Sequence, residues 1–319
     1  MKGFQSQFKD KLHEYVAFRE SLGFSYSHHR CLLLFDEYCH TFYPNEVDLT
    51  RQLVHGWLKS EIKSGGKAIS NKQAAIRGFA KYLGGGAYIL AESFCKDVRS
   101  FQPNLLTDSE LAAFFTAADY LEKPRDPFFA ETAGMLLRLL YTCGLRPTEV
   151  RNLKRSHIDF DTGEIFISKS KLSKDRIVMA SNDMLTLLKE YDGRRNPLCR
   201  TTEEFFIHTN GNPITKEQLV DLVCKCWKDA NPDVEPSLLP RLRPYDLRHQ
   251  FASTVLHNWL DEGKNLYAQL PYLRAYMGHE DFRDTLYYVH ILPERLLASA
   301  NVNWEQIESA RLGEEVWNR

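Results

Sequence analysis

The sequence predicts a mainly α-helical protein of two domains with one small β-sheet. Three observations lead there. Apolar residues recur at i, i+3, i+4 and i+7 through most of the chain, the spacing of one helical face. Gly84-Gly85-Gly86 and the irregular stretch up to residue 106 interrupt that rhythm between two sets of helices. Only residues 158–180 turn to the β-branched and aromatic character of strands.

The first set opens with Phe8, Leu12, Tyr15 and Val16 on one face of residues 7–22. Cys31, Leu32, Phe35, Tyr38, Cys39 and Phe42 share a face over 28–43, where Pro44-Asn45 interrupts. Val54, Trp57, Leu58 and Ile62 predict a third helix, ended by Ser64-Gly65-Gly66. Ser70 with Gln73 reads as a capping box, in which a side chain and a backbone N–H satisfy each other in both directions. It introduces a fourth helix on Ile76, Phe79, Ala80 and Leu83, which the triple glycine stops. Residues 1–94 are expected as a four-helix domain with an aromatic core, and 95–106 as a linker.

In the second set, Thr107 with Glu110 is another capping box, opening a helix on Leu111, Phe114 and Phe115. A strongly apolar helix spans 128–143 through Phe129, Ala133, Leu136, Leu137 and Leu140. Gly144 breaks it and Pro147 suits the first turn of the next helix, which leaves Arg146 in a tight turn. A guanidinium on a rigid turn presents a planar fork to phosphate oxygens. The plainer reading is a surface salt bridge to Glu149.

Ile158 and Phe160, a turn at Asp161-Thr162-Gly163, then Ile165–Ile167 and Arg176–Met179 form the expected β-element. The hairpin between the last two strands carries Lys169, Lys171 and Lys174. A lysine there can protonate an oxygen leaving a phosphate, and a solubilising turn is the alternative. Residues 182–191 and 216–229 read as packing helices, with a strand and turn between them in which His208 is assigned no chemistry. Pro244 starts a helix that brings Tyr245, Arg248 and His249 within a turn of one another, and His249 reads as structural, satisfied against backbone. After a spacer, Met277-Gly278-His279 is expected to place a histidine at a helix start. Tyr287 and Tyr288 then point about 100° apart, so only one can face a site. The tail, 291–319, has an apolar stripe (Leu296, Leu297, Val302, Trp304, Ile307) with little left to cover in its own domain.

Two arginines, a lysine, a histidine and a tyrosine can handle a phosphodiester without a metal. Arg146 in YTCGLRPTEVRNL, Lys171, Arg248 in RPYDLRHQF, Gly278-His279, and Tyr288 nine residues after His279 and followed by Val289-His290 resemble the tyrosine recombinase (phage integrase) family. The resemblance is close over 105–300 and looser before that. It implies an N-terminal core-binding (SAM-like) domain and an α+β catalytic domain, closing on double-stranded DNA as a C-shaped clamp. The implied reaction is site-specific recombination through a 3′-phosphotyrosyl intermediate, without ATP, metal or other cofactor.

In that reading Tyr288 is the nucleophile. Arg146, Lys171, Tyr245, Arg248 and His279 complete the catalytic set, and Glu149 buttresses it. Lys171 is chosen because the family's lysine lies five residues before the arginine of the return strand, here Arg176. DNA-backbone contacts are expected from Lys67, Lys72, Arg77 and Lys81 in KAISNKQAAIRGFAKYL, and from Lys169, Lys174, Arg176 and Arg243. The implied partners are further copies of the chain, as a tetramer on two DNA sites (monomer or dimer when free), and accessory recombinases. The tail, 301–319 above all, would dock on a neighbouring protomer. The sequence departs from the family at Tyr245, where histidine is usual, and a phenol with a pKa near 10 accepts protons poorly at neutral pH. The Arg248–His279 spacer is also several residues longer, through roughly Lys264–Pro271.

With 41 basic and 42 acidic residues, the composition argues against attachment to DNA by global charge and does not exclude a local basic groove. Seven irregularly spaced cysteines fit reduced thiols rather than a zinc site or disulfide framework. No signal peptide is evident, and apolar runs such as Cys31–Phe35 are too short for a bilayer, so a cytoplasmic, nucleoid-associated protein is expected. Two other readings stand beside recombination: an integrase-fold DNA-binding accessory protein with weak or no cleavage, and a strand-relaxing enzyme of the type IB topoisomerase class.

Overall fold

The computed structural model describes residues 3–22, 29–60, 66–91, 102–168, 175–197 and 202–290, with backbone alone for 66–68 and 290. The chain divides into two compact units, Met1–Phe101 and Gln102–Arg319.

The first unit holds α1 (Lys9–Ser21), α2 (His29–Phe42), α3 (Arg51–Ser60) and α4 (Gly66–Leu83). Their apolar stripes meet in one core of Phe8, Leu12, Leu32, Phe35, Val54, Trp57, Ile76 and Phe79. Asp36 fastens the N-terminal segment to it, accepting hydrogen bonds from Gln5 N (2.6 Å), Ser6 N (3.0 Å) and Ser6 Oγ (2.5 Å). Two expectations are corrected. Phe42 is 65% exposed, because it ends α2 where the stripe outruns the packed helices, and it rests on the Tyr38 ring instead. The Ser70–Gln73 pair is no cap: α4 already runs from Gly66, since Lys67, Ala68 and Ile69 are helix-compatible and a capping signature is only a local preference.

The second unit is built around α6 (Pro127–Thr142), buried on nearly all sides and packed by α5 (Asp108–Asp119), α8 (Asn182–Arg195) and α10 (Pro244–Asp261). The short α7 (Pro147–Arg151) and α9 (Lys216–Asp229) complete this layer. The Thr107 capping box forms: Glu110 N donates to Thr107 Oγ1 at 3.3 Å, and Thr107 N to Glu110 Oε2 at 2.8 Å. Strands β1 (Glu164–Ile167) and β2 (Arg176–Met179) pair antiparallel from Glu164↔Met179 to Ile167↔Arg176, with Ile165, Ile167 and Val178 facing the core. The strand expected at Ile158 is a single bridge to Ile165, because Asp159 turns the chain at once through Oδ1 bonds from Asp161 and Thr162 N. His208 is structural: its ring stacks on Phe129, and Nδ1 meets Asp126 Oδ2 at 2.6 Å.

A second apolar cluster joins α10 to α11 (Leu266–Met277) and α12 (Phe282–His290). The long spacer is mostly α11 itself, with Leu266, Leu270, Leu273 and Met277 buried, so it is a core helix rather than a protruding loop. The lysine hairpin at 169–174 and the tail beyond 290 lie outside the described residues. Among the described residues five cysteines are free thiols, and no helix is long and apolar enough to cross a membrane.

Candidate active site

Two helix ends hold the two arginines. α6 ends at Thr142, and Gly144 behind it takes φ +56°, a left-handed conformation that glycine adopts without a Cβ clash. Its carbonyl accepts Arg248 Nη1 at 2.6 Å, and Arg248 Nη2 donates to Met277 O, on the last residue of α11, at 2.6 Å. Gly278 caps α11 at φ +64°, and its carbonyl accepts Arg146 Nη2 at 2.5 Å. The carbonyl end of a helix carries partial negative charge, so both guanidiniums sit where the backbone favours a cation.

Glu149 joins these arginines. Set in the first turn of α7, it accepts Arg146 N through Oε2 and Arg146 Nη1 through Oε1, both at 2.8 Å. Arg176 grips both of its oxygens at 2.8 Å, and Arg248 Nη1 stands 4.0 Å away. Burial alone would raise the Glu149 pKa, but Arg176 and Arg146 push it down to about 2. Burial alone would lower the Arg146 pKa, and Glu149 outweighs it. The Arg146–Glu149 salt bridge therefore forms, but not at the surface: the two side chains are 14% and 5% exposed.

Arg176 corrects an expectation. Expected at the DNA backbone, it is instead turned inward: only 9% of its side chain is exposed, and its Nε donates to Tyr276 O at 2.9 Å. A bidentate carboxylate partner in a dry setting outcompetes a solvated position. Arg176 ties β2 to α7 and to the end of α11.

Arg146, Tyr245, His249, His279, Tyr287 and Tyr288 line one cleft, with Glu280, Arg283 and Asp284 beside them. His279 sits in the link before α12 rather than on it, because Gly278 N and His279 N close the end of α11 on Ala275 O and Arg274 O. Its Nδ1 is 2.8 Å from Thr285 Oγ1. Burial first, then the charges of Arg248, Arg146 and Arg176, push its pKa down to about 3, so the ring is neutral at pH 7. Tyr288 is 2% exposed within the α10–α12 cluster, and burial pushes its phenol up to about 12 against the opposing charge of Arg248. Tyr287 is half-buried and Tyr245 exposed, both bordering the cleft. Arg248 is fully buried behind it, and its Nε has no acceptor among the described residues.

The remaining expected residues do not gather here. Lys169, Lys171, Lys174 and the Lys67 side chain lie outside the description. Lys72 is only 5% exposed and is no free basic contact: Ile76, Phe79 and Ala80, at i+4, i+7 and i+8, carry its face of α4 into the core. Arg77 donates to Leu90 O and Ala91 O at 2.9 and 3.0 Å, anchoring the segment after α4, while Lys81 is exposed. Arg243 precedes α10, its backbone N–H capped by Asp246 Oδ2 at 2.8 Å. Sequence reasoning missed His249 as part of the cleft. Its signal was the i, i+4 spacing from Tyr245, which puts both rings on one helical face.

A family model described as the phage integrase family matches residues 104–295. The chain is 30% identical over 301 residues to a putative integrase/recombinase, y4rE, of Sinorhizobium fredii, covering 91% of this chain and 93% of that one. It is 27% identical over 239 residues to the tyrosine recombinase XerC of Oceanobacillus iheyensis, covering 72% of each. Among solved structures it resembles XerH site-specific recombinase bound to a palindromic difH substrate (TM-score 0.66, 22% identity, 86% of this chain and 78% of that one). It also resembles the Tn1549 transposon integrase in complex with transposon right end DNA (TM-score 0.66, 15% identity, 95% and 99%). The two structures share its fold.

Proposed function

This chain belongs to the phage integrase family, whose tyrosine recombinases break and rejoin DNA in site-specific recombination, and we propose that here Tyr288 attacks the scissile phosphate while Arg146 and Arg248 hold its oxygens. The observation that carries the assignment is the seat of Tyr288: its ring packs against the imidazoles of His249 and His279, beside Arg248, in the cleft that Arg146 lines. Both tyrosines line that cleft, Tyr287 half-buried and Tyr288 buried.

The Tyr288 oxygen bonds to phosphorus, the 5′ oxygen leaves, and a 3′-phosphotyrosyl link remains. Arg146 and Arg248 offset the charge that builds on the phosphorane, pre-positioned by Glu149 and the helix-end carbonyls. His279, neutral and held at Nδ1 by Thr285, and the Tyr245 hydroxyl hydrogen-bond the phosphate oxygens. Lys171 protonates the leaving 5′ oxygen. A 5′-hydroxyl from another strand reverses the step and joins new partners, in a tetramer that brings two DNA duplexes together through exchanged tails. The accessory-protein reading is not favoured, since Arg146, His279 and Tyr288 line one cleft with Arg248 buried behind it, and the sequence retains Lys171.

A covalent-trapping experiment on nicked target DNA tests the assignment. Wild type, Tyr288→Phe and Tyr287→Phe are compared on a denaturing gel. The adduct is expected to vanish only in Tyr288→Phe. Loss only in Tyr287→Phe would move the nucleophile, and no adduct on DNA that the protein binds would favour the accessory role.

A further inference from the structure

Tyr288 must lose its phenolic proton as it attacks, and burial makes that proton hard to release. Two imidazoles touch its ring. His279 lies nearly parallel to it, at 16° with centroids 5.9 Å apart, and its Nδ1 is already engaged with Thr285 Oγ1. His249 is inclined to it by 54° with centroids 5.4 Å apart, the nearer of the two imidazoles. The His249 ring also lies 5.3 Å from Tyr245, one helical turn earlier on α10, and 6.0 Å from Tyr287. It is therefore the imidazole at the centre of the three cleft tyrosines, and Tyr245 stands where a better proton acceptor is usual.

We propose that His249 is the general base of the cleavage step, accepting the phenolic proton of Tyr288 in place of the acceptor that Tyr245 cannot be. This rests on Tyr288 being the nucleophile. The Tyr288 Oη–H proton passes to a ring nitrogen of His249, and the Oη lone pair forms the bond to phosphorus. The bond from phosphorus to the 5′ oxygen breaks, its electron pair stays on that oxygen, and the Lys171 ammonium protonates it. In rejoining, the imidazolium returns its proton to Tyr288.

The surroundings favour the neutral ring. Tyr245 and Arg248 approach from α10, Tyr287, Tyr288 and Asp284 from α12, His279 from the preceding link, and Arg146 from the turn before α7. Burial, then the charge of Arg248, pushes the His249 pKa down to about 4, so at neutral pH the ring is uncharged and one of its nitrogens can accept a proton. A bound phosphate offsets the arginine charge and raises the basicity of the ring as the substrate arrives.

Single-turnover cleavage of nicked DNA tests this with His249→Asn, His249→Asn combined with Tyr245→His, and Tyr288→Phe. Each is run on an ordinary phosphodiester and on one whose 5′ bridging oxygen is sulfur, a leaving group that needs no protonation. His249→Asn is expected to cleave about 100-fold slower on both substrates with unchanged DNA affinity. Tyr245→His is expected to recover roughly tenfold of that loss, less than the about 10²–10⁴-fold of a well-positioned base. The wild-type rate should also rise with pH at unit slope through its acidic limb on both substrates, a readout that needs no variant. A rate near wild type in His249→Asn, a defect that disappears with sulfur, a flat acidic limb, or DNA affinity and melting temperature falling together with the rate would each overturn the proposal. An adduct that survives in Tyr288→Phe would instead bring down the nucleophile on which it rests.

Discussion

Glu149 faces three guanidiniums with one buried carboxylate, and most of the site's order passes through it. Its pKa of about 2 lies below the ordinary carboxylate value, so the stability it contributes is complete above pH 4.5 and is lost as pH falls through 2. Over that window the loss is on the order of 3 kcal/mol. Urea titrations at several pH values should show this acid-sensitive component in wild type and lack it in Glu149→Gln, which is expected to be less stable than wild type at pH 7. The same variant frees Arg146 from its brace and should slow cleavage about 100-fold, as misplacement of a catalytic group does. Equal acid sensitivity in both proteins would show that Glu149 is not the titrating group. At this scale the grouping of Arg146, Glu149, Arg248, His279 and Tyr288 in one place was legible from motif order. Arg176 was not: an arginine on a strand reads equally as a DNA contact or a buried strut, and only Glu149 across the chain decides between them.

Helix ends rather than helix faces make the site. Gly144 turns the chain from α6 to α7 and offers its carbonyl to Arg248. A Cβ there would lie 2.3 Å from Cδ1 of the Phe251 ring, in addition to the left-handed φ. Gly144→Ala should therefore lower stability by more than the roughly 1–2 kcal/mol of the backbone conformation alone. It should also slow cleavage, because the Arg248 seat moves with the turn. A calorimetric melt beside the cleavage assay checks both, and a melting temperature within a degree of wild type would contradict the account. The glycine was legible in the sequence as a helix breaker, but its service to Arg248 was not. The two capping boxes show the same limit. Thr107–Glu110 caps a helix and Ser70–Gln73 does not, although both match the pattern, because α4 continues through the second. Lys72 is the face-level case: a basic residue in a basic stretch, yet in register with Ile76, Phe79 and Ala80 and so carried inward.

Each unit of the molecule has its own apolar core, and among the described residues that of the first draws on residues 4 to 90. A fragment of residues 1–101 should therefore melt cooperatively with a helical circular dichroism spectrum, as should residues 102–319. A fragment that melts without a transition would mean that the first core depends on the second unit. The sequence by itself determined what is local: helical periodicity, the two-unit division, the short hairpin, and the ordered motifs that identify the chemistry. Those signals lie within a few residues of one another, so propensity, capping and burial stripes carry them. Only the tertiary structure decided what spans the chain. Arg146 meets Gly278 across 132 residues, Arg248 meets Gly144 across 104, and Arg176 reaches Tyr276 across 100. It also brought the His249 ring against Tyr288. Hydrogen bonds of that reach form between faces that helix packing brings together, and a linear pattern does not record which faces those are.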